Sequence, residues 1–256
     1  MKKYELSHQK NIRDLGGLIG HEGKRIKYGR IFRGGALTKL TKEDIEVLET
    51  FHLTDVVDFR GNDEFYYNPD HVLIGVTYHS FPAIEERVKV EDRKKDDGNL
   101  LWFVTDNTSG FDHLKRQYRD LITMKKSQTA YRNFFKVLLS EDRVVYYHCS
   151  QGKDRAGLAS FFIETALGVD MNDMLDDYML SQVAMDKKID KLINDVKNKP
   201  FYNEEYRQSL IDIFSVKLEY INAAIEEMIK ISGSPLNYIK EVLEVDIDKL
   251  RKLYLE

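Results

Sequence analysis

One segment of the chain joins a thiol, a guanidinium and a short turn of backbone in an order suited to holding an anion: His148-Cys149-Ser150-Gln151-Gly152-Lys153-Asp154-Arg155. Before it runs Arg143-Val144-Val145-Tyr146-Tyr147-His148, apolar and aromatic enough to read as a strand. After it, Ala156 to Leu167 reads as an apolar helix stopped by Gly168. Ligands in open α/β sheets bind at the C-terminal ends of strands. A helix N-terminus adds unpaired N–H groups and partial positive charge, which makes an anion site. A cysteine placed there is expected to have a lowered pKa and to supply a thiolate near neutral pH. Arg155, six positions on, offers a planar fork that matches two anion oxygens. Gly152 is expected to let the backbone turn tightly without a Cβ crowding the anion, and Lys153 adds positive charge.

A lone cysteine is more often a small buried hydrophobe than a nucleophile. Here the flanking strand, the His148 before it and the Gly-Lys-Asp-Arg ending before a helix favour the nucleophile, on the structural context that motif reading requires. The carboxylates near such a site have two readings. Asp154, inside the loop, is the first choice for a general acid because it must lie close to the anion, and its alternative is an ion pair that shapes the loop. Asp106 and Asp112 are further candidates, brought in by a loop. Asp58, Arg60 and Glu64 end a predicted strand nearby; they could touch a ligand, but an ion pair holding a loop is favoured. Arg13 and Asp14 read the same way. The remaining histidines have no ligand-like spacing.

The elements that would position this loop alternate along the first part of the chain. Asn11 to Gly17 is a turn-rich opening, and Arg30-Ile31-Phe32-Arg33 a short strand running into Gly34-Gly35. Thr41 to Thr50 starts like a helix, with Thr41 and Asp44 spaced as a capping box. Thr54 to Phe59 is a buried strand, and Val76 to Phe81 another, stopped by Pro82. Glu85 to Gly98 is dense in charge and reads as a solvated loop. Tyr118 to Leu139 is helical, broken around Lys125 to Gln128. From Met171 onward the pattern is almost wholly helical. This predicts an α/β fold with a central, mainly parallel sheet flanked by helices and an added helical C-terminal or lid portion. The apolar stripes between Ile189 and Ile231 suit either a lid or a packed helical pair, and Lys187, Lys188 and Lys191 are either a phosphoinositide-attracting face or a solvated one.

The whole is 256 residues, 42% hydrophobic and 32% charged, with a net charge of -4. That balance argues against a general nucleic-acid binder. A single cysteine rules out an intramolecular disulfide and any zinc site built on paired cysteines. The first residues lack the apolar run of a signal peptide, so a cytoplasmic location is the default expectation; export without such a signal stays open. No stretch approaches the ~20 apolar residues of a membrane helix.

The loop resembles the signature of cysteine-dependent phosphatases, His-Cys-x5-Arg, and more narrowly the His-Cys-x-x-Gly-Lys-Asp-Arg loop of bacterial tyrosine or dual-specificity phosphatases. Asn11-Ile12-Arg13-Asp14-Leu15-Gly16-Gly17, Arg30 to Leu37, Asp55 to Arg60 and Ser234-Pro235-Leu236-Asn237-Tyr238-Ile239 look like other segments of that family, in its order. The resemblance implies one phosphatase domain over residues 1–256, with a helical lid or insertion within 171–232. It implies hydrolysis of phosphomonoesters through a cysteinyl-phosphate, most simply on phosphotyrosine proteins, with no metal or other cofactor. Cys149 would attack phosphorus, the loop from Ser150 to Lys153 and Arg155 would bind the phosphoryl group, and His148 would shape the loop. Two positions depart from the wider pattern: Ala156 stands where many relatives carry Ser or Thr, which bears on the second step, and Ala83 follows Phe81-Pro82 where some carry an acid. Lys153 suits a substrate with more than one phosphate, so a phosphoinositide or inositol phosphate is an alternative. A catalytically weak phosphate-binding module and a rhodanese-like sulfurtransferase are others.

Overall fold

The computed structural model describes residues 2–7, 11–84 and 109–256. Among these, six strands form one sheet: β1 (Lys2–Tyr4), β2 (Ile12–Asp14), β3 (Ile31–Gly35), β4 (Asp55–Asp58), β5 (Thr77–Ser80) and β6 (Val145–Cys149). Their order is β1-β2-β3-β6-β4-β5. The four strands β3, β6, β4 and β5 run parallel, and β1 and β2 add an antiparallel edge. The mainly parallel sheet is therefore as the alternating pattern predicts.

Side chains alternate across a strand, and here the alternation builds two cores. Ile31, Val57, Val145 and Tyr147 face the larger one, which extends from Leu15 to Leu255. Phe32, Val56 and Tyr146 face the other, closed by Leu48 of α1 (Lys42–Glu49) and by Phe51. The capping box at the start of α1 is present, with Thr41 accepting from the Asp44 amide and Asp44 from the Thr41 amide. β6 is buried throughout, as expected of a strand covered on both faces.

After the short helix α2 (Asn62–Tyr67) come α3 (Gly110–Thr123), α4 (Lys125–Leu138), α5 (Arg155–Leu167), α6 (Met171–Val196), α7 (Glu204–Phe214) and α8 (Leu218–Ser232). The chain closes with α9 (Pro235–Asn237), a π-helical turn over Tyr238–Val242 and α10 (Ile247–Tyr254). α5 is apolar on nearly every side and buried over almost its whole length, so it is the central helix of the larger core. It stops at Gly168, in the left-handed region at φ 78°. α7 and α8 pack against α3, and α6 packs against α5 and α7.

Two local expectations shift. Ile12–Asp14 forms a strand inside the segment read as turn-rich, because three residues are too few to show alternation; the turn itself follows at Gly16-Gly17, with Gly17 at φ 97°. The break between α3 and α4 falls at Met124, just before the predicted span, where the backbone is extended. The charged stretch from Glu85 to Gly98 lies outside the described residues, as does Asp106.

Candidate active site

Cys149 is the last residue of β6, opposite Gly35 of β3, and His148 lies opposite Asp58 of β4. The loop that leaves it is held from outside by its carbonyls. The amide of Ala36 donates to the Ser150 carbonyl at 3.4 Å, Asn11 Nδ2 to that of Gln151 at 3.0 Å and Arg33 Nη2 to that of Gly152 at 2.8 Å. In a planar trans peptide the following N–H points the opposite way. Three outward carbonyls thus turn the amides of Gln151, Gly152 and Lys153 inward, toward one centre. Gly152 makes the tight turn expected of it, and a second constraint comes from β3. Its φ is +68°, and a Cβ there would overlap the backbone of Gly34 in β3.

Arg155 opens α5 and is pinned by Glu64 of α2. Nη1 donates to Glu64 Oε2 at 2.5 Å and Nη2 to Oε1 at 2.9 Å. The Ser150 hydroxyl also donates to Glu64 Oε1. Burial works to raise the Glu64 pKa, but the Arg155 guanidinium outweighs it and holds the carboxyl at about 2. Of the three residues ending β4, the expected loop-holding pair is Asp58 with Arg60. Arg60 Nη2 reaches Asp58 Oδ2 at 2.8 Å and Asp70 Oδ2 at 2.9 Å. His148, wholly buried, completes the cluster, its Nε2 3.1 Å from Asp70 Oδ2, an ion-pair distance without hydrogen-bond alignment. Asp58, Asp70 and His148 converge closely enough to suggest a cation site, but the Arg60 guanidinium already bridges the two carboxylates there.

A second buried network braces the other flank. Asp177 of α6 accepts from Arg13 Nε at 2.6 Å and from Arg33 Nη1 at 2.7 Å. Burial opposes the charge on Asp177, and the two guanidiniums overcome it and lower its pKa. Glu164 of α5 lies in the same environment; burial, reinforced by the negative charge of Asp177, pushes its pKa well up. Arg13 and Asp14, read together from the sequence, are separated by the strand's alternation: Asp14 instead accepts from the amides of Gly16 and Gly29 and shapes that turn.

Asp154 is the N-cap residue of α5 and is partly open to solvent, its side chain 18% exposed. Tyr118 of α3 donates to its Oδ1 at 3.0 Å. Asp112, the other described candidate acid, is engaged at the start of α3, where Ser109 Oγ donates to it at 2.8 Å. Ala83 is buried, its carbonyl accepting from Ser127, and brings no acid. Lys153 departs from expectation. Its ammonium is buried and donates to the carbonyls of Ile213 and, at 2.9 Å, Ser215, at the C-terminal end of α7. A cation there complements the helix dipole. Its side chain thus anchors α7 to the loop.

Beside the loop opens a cavity of about 750 Å³. Ser150, Gln151, Glu64 and Tyr67 line one side and Met185, Lys187, Lys188 and Lys191 of α6 another. Burial first, then the nearby charges of Lys153 and Lys191, lower the Lys188 pKa to about 8.

The profile described as the tyrosine phosphatase family matches residues 4–256. The chain belongs to the tyrosine phosphatase family. It is a hydrolase of the protein-tyrosine-phosphatase type. Two curated relatives are similar over nearly the whole chain. One is a Cupriavidus necator protein provisionally named a tyrosine-protein phosphatase, 27% identical over 266 residues, covering 96% of this chain and 85% of the relative. The other is the triple specificity protein phosphatase PtpB of Mycobacterium tuberculosis, 23% identical over 278 residues and 98% of each chain. Family membership fits the loop at the end of β6. No helix among the described residues is long and apolar enough to cross a membrane. Sequence reasoning missed Tyr118 and Asp177 as neighbours of the site, since both come from distant helices with no motif of their own; Glu64 was in view but without its partner.

Proposed function

We propose that this phosphatase hydrolyses phosphotyrosine in proteins, with dual specificity toward phosphoserine or phosphothreonine, through a cysteinyl-phosphate and without a metal. The observation that carries this is the loop at the end of β6. Its carbonyls are tied outward, which leaves its amides turned inward at the end of β6, where Glu64 holds Arg155. Such preorganised donors stabilise charge on a transferring phosphoryl group. The Cys149 thiolate attacks phosphorus and the bond to the leaving oxygen breaks. Asp154 gives that oxygen its proton. Water then attacks the cysteinyl-phosphate, Asp154 takes up a proton, and phosphate departs as the thiolate reforms. His148, buried beside Asp70 and Asp58, shapes the approach of the loop.

A second reading has one observation in its favour. The lysines of α6 in the cavity wall suit a substrate with a second anionic group, such as a phosphoinositide.

The test is phosphate release from a phosphotyrosine peptide, a phosphothreonine peptide and a phosphoinositide panel, by wild type and Cys149→Ser. Turnover by wild type, with a dead variant that still binds substrate, is the expected result, and the preferred substrate separates the two readings. Binding without release from any substrate would leave a phosphate-binding module instead.

A further inference from the structure

We propose that Tyr118 is a positioning residue for Asp154, directing one carboxyl oxygen toward the leaving group; this rests on the reading of Asp154 as the general acid. Tyr118 lies in α3 and Tyr178 in α6, both buried, and their hydroxyls are 2.8 Å apart. Tyr118 donates to Asp154 Oδ1. Each hydroxyl has a single proton, so with the Tyr118 proton committed to Asp154, the short contact between the tyrosines is Tyr178 donating to Tyr118. The other partner available to Tyr178, the Lys217 carbonyl, is 3.5 Å away, a much poorer acceptor position. The order of donation is thus Tyr178 to Tyr118 to Asp154.

Both hydroxyls remain protonated. Burial first, and then the negative charge of Asp154, raise the pKa of Tyr118 and of Tyr178 well above the usual phenol value. Tyr118 is therefore a permanent donor, and it fixes Oδ1 as an acceptor in either protonation state of the carboxyl. The Lys153 ammonium, 3.6 Å from the same Oδ1, adds positive charge that disfavours a proton there. A proton on Asp154 then resides on Oδ2, which has no hydrogen-bond partner among the described residues. Since Asp154 caps the helix that Arg155 opens, Oδ2 is the atom left to serve a leaving oxygen at the loop.

The experiment compares kcat/KM for phenyl phosphate and p-nitrophenyl phosphate in wild type, Tyr118→Phe, Tyr178→Phe and Asp154→Asn. kcat/KM reports bond cleavage to the leaving group, and phenoxide needs a proton far more than p-nitrophenoxide does. Loss of a general acid is worth roughly 10²–10⁴-fold where it is needed. Tyr118→Phe is expected to lose about tenfold with phenyl phosphate and about twofold or less with p-nitrophenyl phosphate, a fraction of the full acid effect. Tyr178→Phe should show the same selectivity, more weakly. Equal losses on both substrates in Tyr118→Phe, or none, while Asp154→Asn stays selective, would overturn the positioning role alone. A non-selective Asp154→Asn would remove Asp154 as the acid, and the role of Tyr118 with it.

Discussion

Glu64 grips Arg155 at both terminal nitrogens, one carboxylate oxygen to each, and the same carboxylate accepts from Ser150 next to Cys149. A short helix after β4 thereby fixes Arg155 against the loop that begins at Cys149. The two residues are 91 positions apart, so their pairing is a product of the sheet order, which sets β4 beside β6.

That pairing sets the first prediction. Glu64→Gln keeps the shape but removes the charge that orients Arg155. A hydrogen bond to a charged group is worth about 1.5–3 kcal/mol, so KM should rise by roughly tenfold or more. The variant should also change acid stability. The Glu64 pKa is depressed in the folded protein, from 4.5 to about 2. Its stabilisation is therefore full above pH 4.5 and is lost as pH falls from there toward 2. Acid unfolding followed by circular dichroism should be less steep across that window in Glu64→Gln. A variant with unchanged KM and an unchanged acid transition would remove Glu64 from the site.

The buried network on the other flank predicts a contrast between two carboxyl groups. Asp177 pairs with both Arg13 and Arg33. Breaking a buried ion pair by removing one partner costs about 3–5 kcal/mol, so Asp177→Asn should unfold at a much lower temperature. Glu164 lies in the same buried environment, where burial and the negative charge of Asp177 push its pKa well up and favour its neutral form. Glu164→Gln then replaces one neutral group by another of the same size and should shift the thermal midpoint little. Comparable losses in both variants would mean that Glu164 carries charge.

What the sequence disclosed and what it hid follow one rule: local signals were legible and long-range partners were not. The loop from Cys149 to Arg155 was visible because strand, turn and helix start are consecutive in the chain. The Thr41 capping box joins residues three positions apart and was equally plain. Glu64 could be seen only as a charge near a strand end, because the partner that gives it meaning lies on another strand's loop. Lys153 is a second case. Its place in the loop suggested a substrate contact, whereas α7 brings carbonyls from 60 and 62 positions away to meet its ammonium. Gly152 was identified correctly as necessary, but the backbone it must clear belongs to β3.

The anchoring of Lys153 gives a third prediction. In Lys153→Met the carbonyls of Ile213 and Ser215 lose their donor, and the end of α7 is freed from the loop. Hydrogen exchange should speed up across residues 203–217 and within the loop, while other helices keep their protection. A lysine that instead served substrate would raise KM and leave exchange over 203–217 as in wild type.

Lys188 supplies the last prediction, which concerns the cavity beside the loop. Its ammonium is half-buried in the wall formed by α6, and burial with two neighbouring lysines brings its pKa to about 8. It lies against the ring of Phe214, 5.7 Å from the centroid. A second anionic group on a substrate would favour the protonated form, which dominates below pH 8. Above it, that attraction fades as the amine becomes neutral, so KM for a substrate with two phosphates should rise with pH through about 8. Phenyl phosphate, with a single anionic group, reaches only the loop and should show no such rise. Lys188→Met should abolish the difference between the two substrates' pH profiles and leave phenyl phosphate turnover near wild type. If instead the two substrates keep parallel profiles in wild type, the lysine wall is a solvated face and takes no part in recognition.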